Sequence, residues 1–162
     1  NIMEINTKIN SSIDSLNEYN KIYPWIPNEH QIRPTELIIK FKKILFDKIF
    51  NEYKSSRDYI LINLFNYKIK RENNKLVAIE SRETFHKFEV CCFRYQIHPS
   101  AFHYIMWYTC SKENLTKQKI INDIKSEIYN IIKSDNFKFV YYENPKMTIS
   151  DIYHVQVFWI KE

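Results

Sequence analysis

The clearest indication of the fold class is the segment Phe137-Lys-Phe-Val-Tyr-Tyr-Glu-Asn-Pro-Lys146. Its first six residues are aromatic or β-branched apart from one lysine, which is typical of a strand, and Asn-Pro then marks a turn. The segment before it, 116–134, repeats isoleucine at helical spacing, and the segment after it, 153–160, again has the composition of a strand. A helix between strands of this kind predicts an α+β fold.

Upstream of this stretch, the periodicity changes from helical to strand-like near residue 67. Residues 34–53 begin with Pro-Thr-Glu and carry apolar side chains at helical spacing, which predicts a helix, and Ser55 or Ser56 can cap a second one. Asn73 and Asn74 lie between two alternating segments and predict a hairpin, because asparagine tolerates positive φ. Further strands are expected over 88–95 and 103–110.

The order of these elements predicts the architecture. It indicates a largely antiparallel sheet of about five to six strands, with two N-terminal helices, one helix between the late strands, and the helices on one face. One domain is expected for a chain of 162 residues. Residues 1–22 are polar and rich in Asn and Ser, so we expect them to form a loose arm or a short helix that precedes a domain over 23–162.

The chain contains no glycine, whereas an average protein contains about 7%. P-loops, dinucleotide-binding fingerprints and G-x-S-x-G nucleophile elbows all need glycine where the backbone turns sharply or approaches a ligand. These classes of site are therefore excluded, and no cofactor is expected. The three cysteines have no C-x-x-C spacing and predict neither a disulfide framework nor a metal site.

Charge and aromatic content suggest a binding face. The net charge of +5 is compatible with an acidic partner such as RNA or DNA. Rings of Trp25, Tyr104, Trp107 and Trp159 could stack on bases or contact a protein, and Arg33 could bind a phosphate or carboxylate with both of its terminal nitrogens. The alternative is that the rings are core and the lysines a solvated surface.

Two strands begin with histidine. His103 precedes Tyr-Ile-Met-Trp, and His154 precedes Val-Gln-Val-Phe-Trp. If these strands are neighbours, both imidazoles could face one cleft and serve as general base and general acid at phosphorus. Phosphoesterases of the two-histidine type carry Thr or Ser two residues after each His, whereas this chain has Ile105 and Gln156. The alternative is that each histidine is a core residue with a satisfied hydrogen bond.

A series of short motifs resembles a known family over roughly residues 23–158. The motifs are Tyr23-Pro24-Trp25, Arg33-Pro34, His98-Pro99 leading to Trp107, Leu115-Thr116, Asn144-Pro145 and His154-Val155. Their order is similar to that in an uncharacterised fungal and giant-virus family with an Asn-Asp-Trp-Pro-Tyr motif. This chain has Cys-Cys-Phe-Arg-Tyr at 91–95 in place of that motif. The resemblance implies an intracellular α+β domain with a candidate pocket at His103, Trp107, Asn144 and His154, but no reaction.

Two functions are compatible with these features. The first is an intracellular binding module, cytoplasmic or nuclear, with a protein or nucleic acid as partner and no membrane span. A composition rich in Asn, Ile and Lys indicates an AT-rich source such as a virus or plasmid. The alternative is a metal-independent phosphoesterase or nuclease acting on RNA or nucleotides through His103 and His154. Two imidazoles around one concave surface would favour the enzyme, and their separate burial would favour the module. The sequence gives no oligomeric state.

Overall fold

A computed structural model of the protein describes residues 9, 10 and 13–162. Its helices are α1 (Ile13–Ile22), α2 (Glu36–Glu52), α3 (Ser56–Asn63) and α4 (Lys117–Ile132), and a 3-10 turn covers Lys112–Asn114. The strands are β1 (Ile9–Asn10), β2 (Lys68–Glu72), β3 (Lys75–Ile79), β4 (His86–Val90), β5 (Phe102–Tyr108), β6 (Phe137–Tyr142) and β7 (His154–Lys161). The α+β class predicted from the sequence is confirmed.

The strands form two sheets. The larger one has the order β1-β6-β7-β5-β4, and β2 and β3 form a separate hairpin. All neighbouring strands are antiparallel except β1 and β6, which run parallel. In the register of β5 and β7, Trp107 lies opposite His154 and Phe102 opposite Trp159. Strand β7 therefore lies at the centre of the larger sheet, between β5 and β6.

Local sequence explains where these elements begin and turn. Thr35, Ser55 and Thr116 precede α2, α3 and α4, and each side-chain oxygen accepts a hydrogen bond from a backbone N–H of the first turn, as N-cap residues do. Asn73 and Asn74 join β2 to β3 with φ of 49° and 65°. The hairpin predicted from this asparagine pair is therefore confirmed.

Helices cover both faces of the larger sheet. Ile124 and Ile128 of α4 pack on one face, against residues such as Met106 and Val157. Helices α1 and α3 lie on the other face, where Leu16 packs near Phe158 and Leu61 packs near Trp107. The prediction that the helices share one face is wrong. Strands buried on both sides have nearly continuous apolar sequences rather than alternating ones, and 137–142 and 155–159 are of this kind.

Part of the predicted N-terminal arm is folded. Residues 13–22 form α1, whose Leu16 is completely buried in a cluster with Trp25, Ile26 and Phe158. This segment therefore packs with the domain predicted for 23–162. Of the first twelve residues, only the two of β1 are described, and the remainder of the predicted arm lies outside the described residues.

Helix α2 stands apart from the core along most of its length. Only Ile49 of its seventeen residues is buried. Five large apolar side chains are exposed on it: Leu37, Ile39, Phe41, Ile44 and Phe50. Among the described residues, no helix is both long and apolar enough to cross a membrane.

The C-cap of α4 gives a first prediction. Lys133 is exposed and has φ of 53° and ψ of 38°, a left-handed conformation that costs about 1–2 kcal/mol when a β-carbon is present. We expect Lys133→Gly to stabilise the protein by about 0.5–1 kcal/mol, since the strain removed exceeds the entropy that glycine adds to the unfolded chain. Urea denaturation measures the change. Lys133→Ala keeps the β-carbon and is the control, and a glycine variant less stable than the alanine variant would contradict the prediction.

Candidate functional site

A cavity of about 440 Å³ lies on the face of the larger sheet opposite α4. Its floor is formed by β4, β5 and β7, through alternate side chains that point to this face. Helices α2 and α3 and the segments 91–95 and 144–149 form the walls. The lining includes Lys42, Phe46, Tyr59, Lys87, Glu89, Tyr95, Ile105, Trp107, Asn144, His154 and Gln156. Its volume falls in the range of about 300–1,000 Å³ that small-molecule sites occupy.

A chain of hydrogen bonds lies below the floor. The backbone N–H of Tyr95 donates to Nδ1 of His103 over 3.3 Å, so the proton of the neutral imidazole is on Nε2. Nε2 then donates to Oε1 of Gln156 over 2.5 Å. Both nitrogens of His103 are engaged, and the side chain of Gln156 is left with its amide N–H2 group to offer to the cavity.

Burial keeps His103 neutral. The residue is 1% exposed, and this burial lowers its pKa from 6.5 to about 4. The hydrogen bond with Gln156 opposes the shift, while the positive charges of Arg94 and Lys42 add to it. The imidazole is therefore uncharged at neutral pH and holds its hydrogen-bonding pattern.

His154 is neutral for the same reason but is open to the cavity. Its Nδ1–H donates to the carbonyl of Ile152 over 3.0 Å, which leaves the lone pair of Nε2 as an acceptor for a ligand. The ring lies 4.4 Å from that of Trp107, centre to centre. Burial lowers the pKa of His154, although the hydrogen bond to Ile152 and the charge of Glu143 oppose the shift.

The structure does not bring the two histidines together around one ligand position. Both are on the same face of the sheet, but His154 pairs with Trp107 and His103 pairs with Phe158. The two pairs are four residue steps apart along each strand, which corresponds to about 13 Å of extended chain. Gln156 lies between the two imidazoles, and His103 is behind it rather than in the cavity lining. The acid–base pair predicted from the two His-containing strands is therefore not assembled around a single phosphate.

The predicted aromatic face is divided among three places. Trp25 is in the cluster beneath α1, and Trp107 lies at the cavity floor and is 6% exposed. Trp159 is 1% exposed on the α4 face, stacked 4.3 Å from Phe102. Tyr104 is on that same face, where it contacts Trp159. These rings therefore do not form one surface on which bases could stack, because alternation along each strand sends neighbouring rings to opposite faces.

The remaining predicted binding residues are also separated. Arg33 is exposed in the turn before α2. Asn144 is in the cavity wall, where its side chain hydrogen bonds with the hydroxyl of Tyr95. The oxygen of Asn144 accepts from the N–H of Lys146 over 2.9 Å. Of the four residues that the family resemblance implies as a pocket, Trp107, Asn144 and His154 line the cavity, and His103 supports it from behind.

Sequence reasoning missed Gln156 and Tyr95 as site residues. Gln156 is a polar side chain in a strand of otherwise apolar residues, two positions after His154 and hence on the same face. That pattern is a usable signal for a polar group at the floor of a site. The role of Tyr95 could not be found in this way, because it depends on a backbone N–H in an irregular segment.

Charged side chains lie on part of the cavity lining, namely Lys42, Lys87 and Glu89. Lys42 on α2 lies with its ammonium group 5.8 Å from the centre of the Phe93 ring. Lys87 on the floor is paired with Glu89 at 3.5 Å, so its charge is balanced locally. Lys42 and Arg94 both lower the pKa of His103, which indicates that their field reaches the floor. An anionic group near the mouth is therefore favoured.

The cysteines near the cavity are protonated thiols. Cys91 and Cys92, which line the cavity, and Cys110, which does not, are all free. Burial raises the pKa of Cys91 to about 11 and also raises that of Cys92. In the part of the chain that the structure describes, no group of three or more His, Cys, Asp or Glu residues is arranged to hold a metal ion.

Comparison with known proteins adds one distant similarity. No family model and no curated protein matches the chain. It is similar to one solved structure, described as the crystal structure of HTC1, with 10% sequence identity and a TM-score of 0.47. That match covers 95% of this chain and 85% of the other. The resemblance to the fungal and giant-virus family stays a prediction.

Proposed function

We propose that this protein is a non-catalytic binding module that receives one nucleobase of a nucleotide or single-stranded nucleic acid in its cavity. The observation that carries the proposal is the cavity floor, where His154 and Gln156 present neutral hydrogen-bonding groups between apolar walls. Proteins that recognise unpaired bases combine ring contacts with hydrogen bonds to base edges in this manner. Nucleic acid, rather than protein, is thus the partner class favoured here.

Three further properties of the cavity support this ligand class. Its volume of about 440 Å³ accommodates a nucleoside-sized group. Aromatic and aliphatic side chains such as Phe46, Tyr59 and Ile105 offer apolar contact to a flat ring. Lys42 and Arg94 supply positive charge for a phosphate outside the base.

Catalysis is not part of the proposal, because the cavity lining described here contains one imidazole. General acid–base chemistry at phosphorus by two histidines needs both rings within reach of the same group. His154 is within reach of a ligand in the cavity. His103 is not available to the same ligand, because both of its ring nitrogens already make hydrogen bonds. The free thiols favour a reducing, intracellular compartment, cytoplasmic or nuclear, as the place where the module acts.

Filling the cavity tests the proposal. Ile105 lies on the floor and is only partly buried, so Ile105→Phe places extra volume where the base would bind. We expect this variant to lose at least about tenfold in affinity for AMP, CMP, GMP or UMP, or for a short single-stranded RNA, measured by calorimetry. No turnover of any of these ligands is expected from the unmodified protein.

The matched control is Ile69→Phe. Ile69 is half exposed on β2 and is not part of the cavity lining, so the same substitution there should leave affinity unchanged. Thermal unfolding of both variants checks that they are folded. The proposal fails if the unmodified protein binds none of these ligands, or if Ile105→Phe binds them as well as Ile69→Phe does.

A further inference from the structure

The cavity floor presents two polar groups with fixed hydrogen-bonding roles: Gln156 is a donor and His154 is an acceptor. The N–H of Tyr95 makes Nδ1 of His103 an acceptor, and Nε2–H of His103 therefore makes Oε1 of Gln156 an acceptor. The side-chain amide of Gln156 cannot flip by 180°, exchanging its oxygen and nitrogen, without losing this hydrogen bond. Its N–H2 group is thereby held as the donor toward the cavity.

The second group has the reverse polarity. The carbonyl of Ile152 accepts from Nδ1–H of His154 over 3.0 Å, so Nε2 of His154 is an acceptor. His154 and Gln156 are two residues apart on one face of β7, which places their Cα atoms about 7 Å apart. Because both side chains point to the same side of the strand, one planar amide-type group can contact both of them through hydrogen bonds of about 2.9 Å.

From this arrangement we infer that the site selects a neutral planar ring whose edge donates one hydrogen bond to His154 and accepts one from Gln156. His103 is the positioning residue that sets this selectivity by orienting the amide of Gln156. The inference rests on the proposed function and narrows its ligand to edges with one donor and one acceptor, the kind found on nucleobases and aromatic carboxamides.

Burial makes the selectivity strong. His103, His154 and Gln156 are 1%, 6% and 7% exposed, so a ligand of the wrong polarity leaves a polar group desolvated and unpaired. Each such mismatch is expected to lower affinity by about tenfold or more. A carboxylate would place an acceptor against the lone pair of His154, and an amidinium would place a donor against the N–H2 of Gln156. A site built for a hydrogen-bonding edge rejects analogues on this basis.

Benzamide, benzoate and benzamidine are the probes for this inference. They share one ring and one shape, and their edges carry, respectively, one donor and one acceptor, two acceptors, and two donors. We expect the full chain to bind benzamide about tenfold or more tightly than either of the other two, as followed by the NMR signals of the Trp107 and His154 rings. Equal binding of the three probes, or no binding of benzamide, overturns the inference.

Gln156→Glu reverses the polarity of one group. The carboxylate still accepts from Nε2–H of His103, but its second oxygen replaces the amide donor with an acceptor. We expect this variant to prefer benzamidine over benzamide. Ser150→Glu adds the same charge nearby, at an exposed position outside the cavity lining, and should keep the benzamide preference. If Gln156→Glu also keeps it, the inference is wrong.

His103→Phe tests the positioning role separately. The phenyl ring fits beside Tyr95 and Phe158, whose rings are 4.5 Å and 4.9 Å from that of His103, but it releases the amide of Gln156. We expect discrimination among the three probes to fall while benzamide still binds, a change that a purely structural role would not produce. If nucleotides bind the unmodified protein but the three probes bind it equally, the inference alone fails; if nucleotides also do not bind, the proposed function fails with it.

Discussion

Acidification from pH 6.5 to about 4 will destabilise the folded protein by about 3 kcal/mol through His103 alone. The histidine is buried in its neutral form, and its pKa in the folded state, about 4, is below the ordinary value of 6.5. Between these values the unfolded chain binds a proton that the folded chain does not. The free energy of unfolding is therefore highest, as far as His103 is concerned, above pH 6.5. It falls by about 1.4 kcal/mol per pH unit as the pH is lowered from 6.5 toward 4.

Urea denaturation at a series of pH values, compared between the unmodified protein and His103→Phe, measures this effect. The variant is less stable at neutral pH, since Gln156 and the N–H of Tyr95 lose their partner, but its stability should depend less steeply on pH. His154, whose pKa is lowered by burial, and Glu72, whose pKa is lowered by hydrogen bonds with Lys54 and Lys70, both contribute to the slope that remains. His30→Gln, at an exposed position, should retain the full slope. An unchanged slope in His103→Phe would show that this histidine is not buried in its neutral form.

The elements with local determinants were predictable from the sequence. Helix α2 follows a proline and a threonine cap, and the helix observed, Glu36–Glu52, lies within the predicted 34–53. The hairpin depends on two adjacent asparagines with positive φ. Strand β6 has the predicted bounds, 137–142. In each case the cap, the turn or the periodicity involves only a few neighbouring residues. The amino-acid sequence of that segment is therefore enough to predict the element.

The candidate site could not be predicted in the same way. Alternation predicts that Trp107 and Tyr108 point to opposite faces, but not which face receives α4 and which one forms the cavity. That choice depends on β7 pairing with β5, so that Trp107 meets His154. The irregular segment 91–101 replaces the end of the strand expected over 88–95. It supplies the Tyr95 N–H that orients His103, a contact that no local pattern indicates.

Trp159 illustrates how the same residue type takes different roles on the two faces. It was a candidate binding residue, but it is 1% exposed on the α4 face and packs against Phe102 and Tyr104 at ring distances of 4.3 Å and 5.6 Å. We expect Trp159→Ala to lower the free energy of unfolding by about 3–5 kcal/mol, because the lost ring leaves a void in a close-packed cluster. This loss can unfold a domain of ordinary stability.

Trp159→Phe separates packing from binding. The indole Nε1 of Trp159 is buried without a hydrogen-bond partner among the described residues, so the phenyl ring removes an unsatisfied donor while keeping stacking on Phe102. We expect a loss of less than about 1.5 kcal/mol in urea denaturation, since the favourable and unfavourable changes offset each other. The sheet separates Trp159 from the cavity, so nucleotide affinity should be unchanged. If Trp159→Phe weakens nucleotide binding and Ile105→Phe does not, the ligand binds on the α4 face and the cavity is not the site.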